Sequence, residues 1–102
     1  MRIDSKILNK TLYIGLTGEL DEHASEYTKT ELDELMRREA MGRVVIDLSG
    51  LSFMDSTGIG VLIGRFKKLK SRQIPLFIAN PTAHVDKLFL MTGIYEIMPK
   101  IG

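Results

Sequence analysis

No cysteine occurs among the 102 residues, which excludes disulfides, thiolate nucleophiles and cysteine-based metal sites. A chain without thiols suits a reducing compartment, so a cytoplasmic location is expected. Long apolar runs are also missing. The longest break well short of the ~20 residues that a membrane-spanning helix needs, and the opening MRIDSKILNK has no apolar signal-peptide core. No association with a membrane is expected. Nor does one sign of charge dominate: 14 Lys and Arg against 13 Asp and Glu give a formal net charge of +1, which offers no footprint for nucleic acid. The histidines are His23 and His84 only, and two at unrelated spacing do not form a metal-ligand set. No cofactor is expected.

What is present suffices for one core. At 44% hydrophobic and 26% charged, the chain is too apolar for disorder and has the size of one compact domain. Ile3, Ile7, Leu12, Ile14 and Leu16 flank Asn9-Lys10, which predicts two antiparallel strands joined by a short turn. Over residues 23–39, Ala24, Thr28, Leu32, Leu35 and Met36 share one helical face, and Gly42 is placed to close that helix. The β-branched run 43–48 predicts a central strand buried on both faces. From 56 to 71, Ile59, Leu62, Ile63, Phe66 and Leu69 repeat at helical spacing. Arg65, Lys67, Lys68, Lys70 and Arg72 at its far end read as a solvated face. Residues 75–80 predict another strand, and Pro81-Thr82 the start of a helix carrying Val85, Leu88, Phe89 and Thr92. Gly93 is placed as that helix's left-handed stop. Residues 95–102 predict a last short strand, kept to an edge or bulge by Pro99. This order predicts a single α/β domain on a mixed sheet, its first strand antiparallel and the remainder mostly parallel.

One segment carries a chemical argument. Ser49 to Gly60, SGLSFMDSTGIG, joins the central strand to the second helix, where backbone N–H groups and the positive end of the helix dipole converge. Asp55, Ser56 and Thr57 are all capping types, and one of them is expected to accept from an early helix N–H. Gly58 and Gly60 fall in the first helical turns, each costing about 0.8–1 kcal/mol relative to alanine. Small size is wanted there, either to let another surface approach or to seat the helix close against the sheet. A phosphate-binding loop does not fit: Gly58, Gly60 and Gly64 are not G-x-G-x-x-G, and no lysine follows as in G-x-x-x-x-G-K-[ST]. A nucleophilic Ser56 needs a held base. Asp47 or Asp55 with His23 can be drawn beside it, but the motif is not a G-x-S-x-G elbow.

Three stretches then carry a resemblance: GELDEHASE after the second strand, LSFMDSTGIGVLIGRFKKLK at the switch, and KLFLMTGI in the third helix. Together they are similar to the STAS-domain anti-sigma factor antagonists of the sporulation type, from the first strand to the end of the chain. The resemblance implies one STAS domain over 1–102, a mixed sheet with helices mainly on one face, and a binding module that is not an enzyme. It implies an anti-sigma factor partner that is also a serine kinase using ATP, displaced from its sigma factor by the unphosphorylated antagonist. It also implies that this kinase phosphorylates the serine after the aspartate of D-S-[ST]-G, here Ser56, and that a serine phosphatase reverses the step. Asp21, Asp55, Ser56, Thr57, Gly58, Ile59 and Gly60 are then the expected partner-facing residues. Asp21 is equally readable as the N-cap of the first helix.

The pattern departs from the family in three places. Glu22 stands where many sporulation members have histidine, Thr57 where many have a second serine, and the family's final helix is absent or truncated. That last departure raises the expectation of partly uncovered apolar surface near Val85, Leu88 or the end strand, and of a monomer or weak homodimer. A rival implication is a constitutive STAS scaffold, in a stressosome-like or lipid-transport complex, with Ser56 serving only as a helix cap. Elementary charge chemistry favours the switch. A phosphoserine adds about −1.5 to −2 charges, which a helix N-terminus tolerates but a partner packed against it beside Asp55 does not.

Overall fold

The computed structural model describes residues 1–38 and 40–102. Strands β1 (Arg2–Leu8) and β2 (Thr11–Leu20) form the opening hairpin. Asn9 and Lys10 between them have φ of 50° and 62°, the signature of a type I′ turn whose twist matches that of its strands. There follow α1 (Ser25–Arg38), β3 (Arg43–Met54), α2 (Ser56–Lys70), β4 (Leu76–Ala79), α3 (Ala83–Thr92), a 3₁₀ turn at Ile94–Glu96, and β5 (Lys100–Ile101). The sheet order is β1-β2-β3-β4-β5, with β1 antiparallel to β2 and every other pair parallel. This is the predicted mixed α/β sheet.

The core lies on one face of that sheet. Leu12, Ile14 and Leu16 of β2, Val44, Ile46 and Leu48 of β3, and Leu76 and Ile78 of β4 are buried, with Ile14 beside Ile46 and Ile46 beside Ile78. Thr28, Leu32 and Met36 of α1, Val61, Leu62 and Leu69 of α2, and Val85 and Phe89 of α3 complete it. At about 25 cal/mol per Å² of apolar surface removed from water, this shared face is the main force holding the helices. The opposite face is more open. Val45 is buried there, but Tyr13, Asp47 and Phe77 are only half-buried, so β3 is not enclosed on both sides as expected.

Several local expectations are corrected. The central strand runs to Met54 rather than ending near residue 48. Gly15 pairs with Asp47 but Thr17 with Gly50, and Gly18 pairs with Leu51 but Glu19 with Phe53. Each step inserts one extra residue into β3. Its buried positions Leu48, Leu51 and Met54 therefore fall three apart, a spacing that conceals a strand. The last segment is a 3₁₀ turn followed by two residues of strand, not one strand over 95–102.

Gly42 does not cap α1, which ends at Arg38; its N–H donates to the Lys10 carbonyl at 2.7 Å, tying the loop to the hairpin. The expected end of that helix at residue 39 lies outside the described residues. Gly93 does stop α3, with φ 75° and its N–H on the Phe89 carbonyl. Arg65 is not part of the solvated basic face. It is 6% exposed, on the stripe with Val61, Leu62 and Leu69, and its Nε lies 3.0 Å from Asp33 Oδ1 of α1. The pair is outside hydrogen-bonding alignment, so the contact is ionic. Lys68 Nζ reaches the other Asp33 oxygen at 2.9 Å, and Arg72 donates to the Met36 carbonyl. Val85 is fully buried and Leu88 half-buried; the uncovered apolar side chains of α3 are Leu90, 65% exposed, and Met91, 74% exposed.

Candidate functional site

Leu20 and Met54 pair where β2 and β3 end side by side, so Asp21 and Asp55 each stand one residue past the end of neighbouring parallel strands. Both turn the chain in the same manner. Asp21 Oδ1 accepts from the Ala24 N–H at 3.1 Å, and Asp55 Oδ1 from the Gly58 N–H at 3.1 Å. Asp55 is the N-cap of α2, with extended backbone and its carbonyl taking the Ile59 N–H. Asp21 caps the turn before α1, where Ser25 Oγ donates to the Glu22 carbonyl and the Thr28 N–H makes a bond to Ala24. Capping thus accounts for the side chains of both aspartates while leaving them at one end of the sheet.

Because Asp55 is the cap, Ser56 is released from that role. Ser56 is the first residue of α2 and, like Thr57, is exposed. Among the described residues nothing hydrogen-bonds its hydroxyl. The first-turn N–H groups at this end have no carbonyl partner within the helix, and the first turn carries no acidic residue. The lysines of α2, Lys67, Lys68 and Lys70, gather at the opposite end.

The two glycines separate. Gly58 is buried, and a Cβ there would lie 2.4 Å from the Leu20 carbonyl oxygen and 2.7 Å from Met54 Cγ. Its smallness seats α2 against the strand ends. Gly60 is exposed, and a Cβ there would meet nothing within 4 Å, so the fold itself makes no demand for glycine. Ile59 is half-buried against the core margin.

Other residues extend this surface beyond those expected. The bulges of β3 turn Phe53 outward, 37% exposed, where its ring stacks on His84 of α3 at 5.3 Å. Thr82, the N-cap residue of α3, spends its hydroxyl on the Leu51 carbonyl at 3.0 Å instead of on its own helix. Only the run of apolar residues before Asp55 hinted at Phe53. The Asp47 carboxylate accepts from the Ser49 N–H at 2.8 Å and from Asn80 Nδ2 at 3.2 Å. Burial pushes its pKa up, but these hydrogen bonds outweigh burial and hold it below the ordinary value. Asp47 therefore fastens β3 to the loop after β4. Neither His23 nor His84 bonds to Ser56 among the described residues, so the serine, histidine and aspartate set drawn from the sequence is not assembled. No metal-holding cluster is found among those residues, and no described helix is long and apolar enough to cross a membrane.

A one-sided, five-stranded mixed sheet with a capped helix start of this kind at its strand ends has known counterparts. A family model described as the STAS domain matches residues 2–102, and the chain belongs to the STAS-domain family. Its relatives narrow the class to the anti-sigma factor antagonists. An anti-sigma F factor antagonist of Paenibacillus polymyxa is 32% identical over 99 residues, covering 97% of this chain and 85% of its own. Among solved structures, the anti-sigma factor antagonist SpoIIAA in its unphosphorylated form matches with a TM-score of 0.77 at 29% identity, over 99% of this chain and 89% of that one. The Bacillus cell fate determinant SpoIIAA in the phosphorylated form matches with a TM-score of 0.69 at 28% identity, over 99% and 92%.

Proposed function

We propose that this chain is an anti-sigma factor antagonist whose unphosphorylated form binds an anti-sigma factor with serine-kinase activity, and that phosphorylation of Ser56 turns the binding off. The observation that carries the reading is the division of labour at the start of α2. Asp55 caps the helix, leaving Ser56 exposed with no structural duty. The scaffold alternative assigned capping to Ser56, and Asp55 holds that role. A relative of similar fold is described in both phosphorylated and unphosphorylated forms, which supports the same two states here.

The chemistry follows from position. The kinase transfers the γ-phosphoryl group of ATP to Ser56 Oγ, the hydroxyl proton leaves, and ADP departs. The phosphate gains about −1.5 to −2 charges at the positive end of α2, so the fold keeps its stability. A partner seated over Asp21, Ser56, Thr57, Ile59 and Gly60 must instead desolvate that charge beside the Asp55 carboxylate, which opposes binding. A serine phosphatase, acting by hydrolysis, restores the binding form in the cytoplasm. Incubation with a cognate kinase and ATP, followed by intact-mass measurement, tests the assignment. A gain of one phosphate, abolished in Ser56→Ala, is expected; an equal gain in that variant refutes the assignment.

A further inference from the structure

We propose that two copies of this chain associate through their β1 strands, extending the five-stranded sheet antiparallel across a two-fold axis at Ser5. The inference is independent of the phosphorylation reading. Strand β1 is an edge, paired with β2 on one side only. Its type I′ turn makes Leu8 and Thr11 a hydrogen-bonded pair, and alternation directs the N–H and C=O groups of Lys6, Asp4 and Arg2 toward β2 as well. The same groups of Ile3, Ser5 and Ile7 then line the outer edge, unclaimed by the sheet.

A charged residue within an edge strand normally discourages further pairing. Here the order Arg2-Ile3-Asp4-Ser5-Lys6-Ile7-Leu8 is complementary to its own reverse. With the axis at Ser5, Asp4 of each copy faces Lys6 of the other, Ile3 faces Ile7, and Ser5 faces Ser5. Shifting the axis to Asp4 opposes two copies of Asp4 and sets Arg2 against Lys6; shifting it to Lys6 opposes two lysines. Like charges directly opposite are destabilising and unlike charges favourable, so the charges select the one register that also pairs the whole strand.

That register uses the outward groups. Three pairs, Ile3 with Ile7, Ser5 with Ser5, and Ile7 with Ile3, exchange about six hydrogen bonds. Asp4 and Lys6 fall at the intervening pairs, where side chains approach more closely. Both lie on the open face of the sheet with Tyr13, whose ring Lys6 Nζ overlies at 5.7 Å, and Asp4 already holds Arg2 Nε at 3.3 Å. On the other face, Ile7 is 42% exposed and would be covered by Ile3 of the second copy. Ser56 follows β3, two strands in from this edge, so the site at the strand ends stays open in the pair. One strand edge falls short of the roughly 1,200 Å² of a stable interface, so the association is weak and depends on concentration.

Sedimentation equilibrium over roughly 10 μM to 1 mM, the range of weak association, tests this. The mass is expected to rise from 11.5 kDa toward twice that value. Ser5→Pro removes an outward N–H and leaves the ladder to β2 intact; it is expected to stay monomeric with an unchanged circular dichroism spectrum. Asp4→Lys alone and Lys6→Asp alone are expected to be monomeric, and an equimolar mixture of the two to associate, because each then presents the charges the other lacks. A wild-type chain monomeric at the highest concentration overturns the proposal. So does a folded Ser5→Pro variant that associates like wild type, or a mixture that stays monomeric while wild type associates. If Ser5→Pro loses its fold, the charge variants alone decide.

Discussion

Replacing Gly58 and Gly60 by alanine, one at a time, is predicted to move stability in opposite directions. Alanine is the better helix former by about 0.8–1 kcal/mol at either position, and neither glycine has a positive φ that would penalise a side chain. The surroundings decide. At Gly58 the added Cβ would stand 2.4 Å from the Leu20 carbonyl oxygen, about 1 Å inside ordinary contact. Met54 Cγ, at 2.7 Å, is a side chain and can swing aside. The carbonyl belongs to the end of β2 and moves only with the strand or with α2. Overpacking of this kind costs about 1–3 kcal/mol, and since the backbone must yield, the upper half applies. Net of helix propensity, Gly58→Ala is expected to lose about 1–2 kcal/mol. Gly60→Ala meets nothing within 4 Å and is expected to gain about 0.5–1 kcal/mol. Urea titrations read both as shifts in midpoint at constant m-value, and thermal scans as about 4–8 °C per kcal/mol. Equal stabilisation by both substitutions would refute the close approach of α2 to the end of β2. The pair also separates folding from docking: if the partner packs over Gly60, Gly60→Ala weakens the complex while strengthening the fold.

Asp55→Ala removes the cap of α2 and is expected to cost about 1 kcal/mol in urea titration, with Ser56 unable to substitute because it already stands inside the helix. Asp33→Ala leaves the Arg65 charge buried with no carboxylate partner among the described residues and is expected to cost about 3 kcal/mol, whereas Arg65→Met fills the same space without a charge and costs less than ~1 kcal/mol; a reversed order of thermal midpoints contradicts the buried placement of Arg65. Asp47 has a pKa held below 3.8 in the fold, so its contribution is complete above that value and is lost as pH falls through the lowered one. The stability gap between wild type and Asp47→Asn should therefore be largest at neutral pH and close in strong acid. Burial and the hydrogen bond its hydroxyl donates to Asp86 raise the Tyr95 pKa above the ordinary 10.0. Its contribution is present below pH 10 and lost as pH rises through the raised value. Alkaline difference spectra of wild type against Tyr95→Phe should show a phenol ionising above its ordinary range.

The parts of the fold that were readable in sequence are those in which a local rule meets no tertiary competitor. Asn9-Lys10 fixed the hairpin because two left-handed residues close a tight turn, and both are left-handed. Gly93 likewise ended α3 for the reason glycine suits that position. The second half of β3 was hidden because its two bulges move the buried residues from every second to every third position, and no single-strand pattern encodes an insertion dictated by the neighbouring strand. In sequence the charge of Arg65 sets it with the exposed lysines and masks its place on the apolar stripe; Asp33, 32 positions earlier on another helix, makes its burial tolerable. At the site, the motif drew attention to Ser56, but three adjacent capping types left open which one caps. Geometry assigned the cap to Asp55. In sequence Gly58 and Gly60 look alike, and it is the approach of Leu20 and Met54 to Gly58 that distinguishes them.

In the proposed switch, charge on Ser56 governs partner binding without disturbing the fold. Isothermal titration of a cognate anti-sigma factor with the unphosphorylated chain and with the chain phosphorylated at Ser56, each checked by thermal midpoint, tests it most directly. A full switch from mostly bound to mostly free corresponds to about 10⁴ in affinity, or roughly 5.5 kcal/mol. The expected loss approaches that size, with the thermal midpoint unchanged within a few degrees. Equal affinity of the two forms, or a loss that appears only because the phosphorylated chain has unfolded, contradicts it.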